Sequence, residues 1–163
     1  RIIWRSSLPG SALHHPTIFG ERVYVPYSTN DGEPGGVKAL SLDDGSTIWE
    51  THVSYAPGRA AAMGRHLVIP DQQAGIIAID VAHGGIRWRA PSPAVFSIQP
   101  AVVSEAIYVG DSDGLLRRLD MADGGTVWSI DLGAAITASP TLHSTRIIVG
   151  TGDGRVIAIG DAP

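Results

Sequence analysis

Four tryptophans recur along the chain about 40 residues apart, and this repetition constrains the fold more than any other feature. They are Trp4, Trp49, Trp88 and Trp128. A period of that length with short apolar β-runs is typical of propellers and arrays, in which one repeat forms one sheet that cannot bury its own faces. The sequence therefore predicts a tandem array of small sheets.

Each of the last three tryptophans closes a block with the frame A-x-D-x-x-x-G-x-x-x-W. The copies read ALSLDDGSTIW from residue 39, AIDVAHGGIRW from residue 78 and RLDMADGGTVW from residue 118. Ser41 and Arg118 depart from the frame, and Ala158 begins a further copy in which Gly160 replaces the aspartate. A second landmark lies upstream, where Pro16, Pro100 and Pro140 precede apolar runs and Ala60 holds the same place in the second repeat.

The segments between these landmarks have the composition of strands. They are rich in β-branched and aromatic residues and are separated by Asp-Gly and Gly-Gly turns, where glycine adopts positive φ at little steric cost. We predict an all-β fold: a β-propeller or partial propeller of four-stranded antiparallel blades. The repeats cover residues 5–49, 50–88, 89–128 and 129–163 of a single domain.

The two ends of the chain complement each other. Residues 1–4 resemble a fourth strand without its blade, and the last repeat resembles a blade without its fourth strand. One interpretation is a four-blade ring in which residues 1–4 complete the last sheet and cover exposed edges. The other, which we favour at this stage, is that the chain is a fragment of a larger ring, completed by the rest of the protein or by a second copy.

Composition argues against several classes of protein and of site. The chain has 163 residues, of which 44% are hydrophobic and 17% charged, enough for one sizeable core. No apolar run approaches the ~18 residues of a membrane span. The net charge of −4 and the lack of a Lys/Arg run argue against nucleic acid. There is no cysteine and hence no disulfide or thiolate site.

Residues of the repeated block have a structural interpretation. Each tryptophan is expected to pack against the neighbouring blade, where a small residue lets the ring lie close. The glycines of the block are Gly45, Gly84 and Gly124. Asp80 and Asp120 are expected to bind backbone amides of the following turn.

Candidate binding residues lie just before the proline position of each repeat. They are His15, Arg59, Gln99 and Ser139. Arranged around an axis, they would form a polar ring at the starts of the innermost strands, suited to a small anion or to an acidic side chain of a partner. The alternative is that they are solvated strand starts or hydrogen-bond neighbouring loops.

The loop from Tyr27 to Gly36 is the one place where the repeat is interrupted, and irregular loops on rigid scaffolds often carry function. Its Asp31 and Glu33 could help to bind a cation, although a mobile, solvated hairpin is the other interpretation. Asp111 and Asp113 match only part of a calcium loop. The six histidines and the turn serines form no recognisable catalytic set, so we predict no catalytic residue and no metal site.

The repeated block resembles the quinoprotein-type repeat, whose tryptophan-docking motif occurs in the propellers of PQQ-dependent dehydrogenases and of barrel-assembly lipoproteins. The resemblance implies a propeller of about seven or eight blades, a protein partner and a periplasmic setting. It also implies two functions, a non-catalytic scaffold or sensor, which we favour, and a fragment of a PQQ-dependent alcohol or sugar dehydrogenase. The dehydrogenases hold the quinone with calcium, a tryptophan and often a vicinal disulfide, which a chain without cysteine cannot form.

The two functions can be separated by thermal melting with PQQ and Ca²⁺. A ligand at a hundred times its Kd stabilises a protein by about 2.7 kcal/mol, which would appear as a clear rise in Tm. For a non-catalytic scaffold we expect an unchanged Tm at saturating PQQ with Ca²⁺, compared with Ca²⁺ alone. A concentration-dependent rise that requires both ligands would favour the dehydrogenase.

Overall fold

A computed structural model describes residues 1–12, 14–29, 33–53, 57–71, 75–96 and 98–160. The regular structure of these residues consists of β-strands, arranged in four successive antiparallel sheets. Each sheet corresponds to one repeat, and we number the sheets as blades 1 to 4 in chain order. The predicted all-β fold of blade-like repeats is confirmed.

The strands run from the innermost to the outermost position in each blade. Blade 1 contains β1 (Ser11–Ala12), β2 (Thr17–Phe19), β3 (Arg22–Ser28), β4 (Gly36–Ser41) and β5 (Thr47–His52). Blade 2 contains β6 (Ala61–Met63), β7 (His66–Asp71), β8 (Gly75–Asp80) and β9 (Ile86–Ala90). Blade 3 contains β10 (Ala101–Val103), β11 (Ala106–Gly110), β12 (Leu115–Asp120) and β13 (Thr126–Asp131), and blade 4 contains β14 (Thr141–His143), β15 (Arg146–Gly150) and β16 (Val156–Ile159).

The innermost strand of blade 1 is interrupted, which the sequence did not predict. Ala12 pairs with Tyr27 and Thr17 with Tyr24, so four residues on the inner strand lie opposite two on β3. Pro16, inside this interruption, has no N–H to donate to a ladder. β1 and β2 are therefore two pieces of one strand separated by a bulge-like break.

The last two strands of blades 1 to 3 share a register shift. It falls after Ala39, Ala78 and Arg118, each of which pairs with the tryptophan of its own block. The residue before each tryptophan is the extra residue of this β-bulge, a device that re-aims side chains. The same bulge thus sets the direction of the tryptophan in each blade.

The tryptophans dock onto the blade that follows them. The indole Nε1 of Trp4 donates to the Leu42 carbonyl at 2.9 Å, that of Trp49 to Val81 at 3.0 Å, and that of Trp88 to Met121 at 2.9 Å. The glycine three residues beyond each acceptor lies against the ring. It is Gly45, Gly84 and Gly124 in turn, with φ of +69°, +77° and +77°.

Trp128 is only half-buried, whereas Trp49 and Trp88 are 8% and 9% exposed. By the spacing of the block, its acceptor would be the carbonyl of Asp161, which lies outside the described residues. Its ring contacts Tyr108 of its own blade, with centroids 6.0 Å apart.

Three apolar cores fill the junctions between successive blades. Alternate residues of a strand belong to different cores: in β7, Leu67 and Ile69 pack toward blade 1 and Val68 packs toward blade 3. A third core, which includes Ile98 and Ile147, joins blades 3 and 4. Because the inner strands of blade 2 are covered on both faces, they read as continuous apolar runs.

The outer parts of the array are more exposed. Blade 4 has three strands among the described residues, and the side chain of Val156 on β16 is 77% exposed. Residues 1–8 form no regular strand, although Trp4 docks on blade 1. Completion of blade 4 by residues 1–4 therefore stays a prediction, as do the domain limits.

The contribution of the close glycine contact can be measured with Gly124→Ala. A Cβ there would lie 2.6 Å from Cε3 of Trp88, and the ring is fixed between two blades. Gly154→Ala is a matched control, because Gly154 also has positive φ (+85°) but nothing within 4 Å of an added Cβ. We expect Gly124→Ala to lower the free energy of unfolding by about 1–3 kcal/mol more than the control in urea denaturation. Equal losses of unfolding free energy in the two variants would mean that the positive φ alone, and not the contact with Trp88, requires glycine at position 124.

Candidate functional site

The four residues of the predicted polar ring occupy equivalent places. Each lies two residues before an inner strand: His15 before β2, Arg59 before β6, Gln99 before β10 and Ser139 before β14. The side chains of His15, Arg59 and Ser139 are exposed, and Gln99 is half-buried. The four positions are therefore at the same end of their blades, where side chains can meet a ligand.

Gln99 is used in part by the fold. Its Nε2 donates to the carbonyl of Ala60 at 2.6 Å, and the hydroxyl of Thr17 donates to the same carbonyl at 2.8 Å. These bonds connect the inner strands of blades 1, 2 and 3 at this end. Gln99 accordingly matches the alternative interpretation, in which ring residues bind neighbouring loops.

Three basic side chains, His14, His15 and Arg59, lie near the start of blade 2. Partial burial lowers the pKa of His14, and the charges of Arg59 and then of His15 lower it further. Arg59 and His15 are thus close enough to influence the same imidazole. Arg59, whose side chain is exposed, gives this end of the blades a cationic group suited to an acidic side chain.

The irregular loop of blade 1 lies at the same end. Asp31 is outside the described residues, and Glu33 lines a cleft of about 460 Å³ with Pro9, Thr29, Pro34 and His52. Below it, the Tyr27 hydroxyl donates to Oε1 of Glu50 at 2.6 Å. Burial, together with this carboxylate, raises the pKa of Tyr27, so the phenol stays protonated as a donor.

Among the described residues, no group of three or more His, Cys, Asp or Glu side chains is placed to hold a metal ion. The described part of the chain therefore does not fit the calcium that accompanies the quinone, and no step of the function proposed below uses either group. The absence of a metal site over the whole chain stays a prediction.

The two aspartates of the repeated block have different surroundings. Oδ1 of Asp80 accepts the Ala82 amide at 2.9 Å, and Oδ1 of Asp120 accepts the Ala122 amide at 2.7 Å. The Asp80 side chain is also buried among three basic side chains: Arg87 lies at 2.9 Å, Arg65 at 3.2 Å and His83 at 3.4 Å. Asp120 is exposed and has no ion pair among the described residues.

Burial on its own raises the pKa of Asp80, but other effects outweigh it. The hydrogen bond from the Ala82 amide lowers the pKa, and Arg87, His83 and Arg65 lower it further, so that the net shift is below the usual value. Asp80 is therefore held as a carboxylate inside the turn of blade 2.

A row of buried polar residues was missed in the sequence. Asp71, Asp111 and Thr151 end or follow the second strands of blades 2, 3 and 4 and are at most 5% exposed. Asp111 accepts the amides of Asp113 and Leu115, both at 3.0 Å, and pairs with Arg117. Their regular spacing of 40 residues is the sequence signal that could have identified this row. The hydrogen bonds of Asp111 are consistent with a turn-forming role.

The fold and the docked tryptophans define a β-propeller built from PQQ-like repeats. Residues 33–161 match the family described as outer membrane protein assembly factor BamB, and the chain belongs to this family. No curated protein is significantly similar to the chain in sequence. No helix in the described part of the chain is long and apolar enough to cross a membrane.

Three solved structures are similar in fold to this chain. BamB from Moraxella catarrhalis superimposes with a TM-score of 0.73 at 19% identity, over 86% of this chain and 43% of that one. The designed protein Ika8 gives a TM-score of 0.76 at 13% identity, over 89% of this chain and 44% of that one. The designed protein Ika4 gives 0.77 at 13% identity, over 96% and 99% of the two chains. The chain thus spans less than half of BamB and Ika8 but nearly all of Ika4.

The charge cluster at Asp80 predicts a pH effect on stability. Because the pKa of Asp80 is depressed in the folded state, its stabilisation is complete above the unfolded pKa of about 3.9 and is lost as pH falls through the lower folded pKa. Asp80→Asn should cost about 1–3 kcal/mol at pH 7 and should flatten the loss of stability below about pH 4.

Urea denaturation from pH 7 to pH 3 measures both effects. Asp120→Asn is the matched control, because Asp120 keeps the same amide contact but lacks the cations. If the two variants lose stability equally and with the same pH slope, the ion cluster does not stabilise blade 2.

Proposed function

We propose that the chain is a non-catalytic β-propeller scaffold that binds a partner protein. The match of residues 33–161 to the BamB family carries this proposal, because the name of that family describes an assembly factor of outer membrane proteins. A rigid array of docked blades suits such a role, since it presents loops in fixed relative positions. A second form of this non-catalytic binding function is a sensor domain that binds a small anion.

The contact surface that we propose is the end of the blades with His15, Arg59 and Ser139. These side chains are exposed, and the Arg59 guanidinium supplies a positive charge close enough to His14 to lower the pKa of that imidazole. The chain as a whole carries a net charge of −4, so the cationic Arg59 at this surface is opposite in sign to the average of the molecule. Charge complementarity of this kind steers encounter and fixes register.

The partner in this proposal presents acidic side chains to the ring. The Glu33 cleft lies beside the ring and adds apolar area, because Pro9 and Pro34 line it. Further blades, or a second copy of the chain, could complete a larger ring around the same surface. Such a ring is compatible with the match, in which this chain spans 43% of BamB. Following the family name, we propose a periplasmic location.

Photo-crosslinking tests the proposed surface. A benzoylphenylalanine residue replaces Arg59 in one variant and Arg146 in another; both arginines are exposed, but Arg146 starts β15 and lies at the opposite end of its blade. We expect a discrete adduct from position 59 in cells of the source organism and none from position 146.

A second substitution in the crosslinking variant tests which side chains contribute to that contact. The adduct at position 59 should weaken when His15 is replaced by Ser, and should persist when the exposed His143 at the end of β14 is replaced by Ser. An adduct of equal yield from positions 59 and 146, or none from position 59, would contradict the assignment of this end as the contact surface.

A further inference from the structure

A cleft of about 360 Å³ lies at the junction of blades 2 and 3, at the end of the blades opposite to the ring. It is lined by His66, Ser104, Glu105, Asp120, Met121 and Ala122. His66 begins β7 of blade 2, whereas the other residues belong to the two turns of blade 3 that flank β11 and β12. No function proposed so far uses this cleft.

The equivalent place at the junction of blades 1 and 2 is occupied by arginines of the chain itself. Arg22, which begins β3 as His66 begins β7, donates to the carbonyl of Val81. Arg65, just before β7, reaches Asp80 at 3.2 Å, and Arg87 reaches the same carboxylate at 2.9 Å. Guanidinium groups thus satisfy the acceptors of the blade 2 turn.

Shorter or acidic residues replace those arginines one blade later. His66 stands in place of Arg22, Glu105 in place of Arg65, and Val127 in place of Arg87. The acceptors are nevertheless retained, because Asp120 corresponds to Asp80 and Met121 to Val81. The turn of blade 3 has therefore kept these acceptor groups, but none of the three arginines has an arginine counterpart at the equivalent position of this junction.

The acceptors that line the cleft are incompletely used. Nε2 of His66 is buried without a hydrogen-bond partner, and partial burial together with the nearby Arg87 and Arg65 lowers the pKa of this imidazole, which favours its neutral form. Glu105 and Asp120 make no ion pair within the described residues. The carbonyl of Met121 accepts the indole of Trp88, whereas that of Val81 accepts Trp49, Tyr24 and Arg22.

We propose that this cleft binds the guanidinium group of an arginine side chain presented by a partner protein. A guanidinium carries five donors in a planar fork, which matches carboxylate and carbonyl acceptors that lie side by side. Charge complementarity supports the occupant, since two acidic residues, Glu105 and Asp120, line the cleft, and the chain places its own arginines at the equivalent position of the preceding junction. The site lies away from the ring, so the inference goes beyond the function proposed above and does not depend on it.

Titration with a capped amino acid tests this site in the whole chain. The probe is N-acetyl-L-arginine methylamide, and its uncharged counterpart of nearly equal shape is N-acetyl-L-citrulline methylamide. We expect the arginine probe to shift the NMR signals of the His66 ring and of the Asp120 to Ala122 amides. The citrulline probe should bind at least about five-fold more weakly, because it cannot form charge-assisted hydrogen bonds.

Charge-removing variants assign the contacts. Glu105→Gln and Asp120→Asn should each weaken binding of the arginine probe by about two- to five-fold, the range of exposed ion pairs. Glu21→Gln is the matched control, because Glu21 holds the same place in the first turn of blade 1 and does not line the cleft. This control should leave the affinity unchanged.

A variant that fills the cleft with an arginine of the chain itself tests the proposal without relying on small changes in probe affinity. Glu105→Arg would place a guanidinium beside Asp120 as Arg65 lies beside Asp80, so it should abolish probe binding without lowering Tm. Equal binding of the two probes, or unchanged binding in Glu105→Gln and Asp120→Asn, would overturn the site. Tighter binding of free L-arginine than of the capped probe would overturn the assignment to a protein partner.

Discussion

The hydrogen bond from a tryptophan indole to a carbonyl of the next blade is the interaction on which the other features depend. It fixes where a large aromatic ring sits, and the glycine against the ring allows its full face to be buried. Burial of 150–250 Å² is worth about 4–6 kcal/mol as an upper bound, and the hydrogen bond adds about 1 kcal/mol. Each junction between blades thereby adds an aromatic contact and a hydrogen bond to the apolar core that it already contains.

A stable junction core allows the ends of the blades to differ. Apolar cores fill the junctions between successive blades, whereas the residues just before the innermost strands are His15, Arg59, Gln99 and Ser139. The turns at the opposite end vary in the same way, from Arg65 in blade 2 to Glu105 in blade 3. Because these positions lie outside the apolar cores, changes of charge there cost little of the folding energy and can serve recognition.

Periodicity in the sequence predicts the blades and the docked tryptophans because both depend on residue types that every repeat needs. It does not predict the break between β1 and β2, which arises from a local mismatch with β3, nor the buried row of Asp71, Asp111 and Thr151, whose polar members look like ordinary turn residues. The cleft between blades 2 and 3 was also missed. The cleft depends on how far the side chains of Arg22 and His66 extend across their junctions. The repeated sequence block does not give that distance.

Asp80 and Asp120 show how a repeat protein can separate stability from recognition. Both accept an amide two residues later, so the turn itself forms in either surrounding. Two arginines and a histidine complete the site at Asp80, and that carboxylate serves the fold. At Asp120 the same turn persists without those cations, because the Trp88 junction beneath it is already stabilised by apolar contacts and by the indole bond to Met121. The blades can therefore be compared with one another: a carboxylate that binds arginines of the chain in one blade, and has no ion pair among the described residues in the next, is where we propose that a partner supplies the donor.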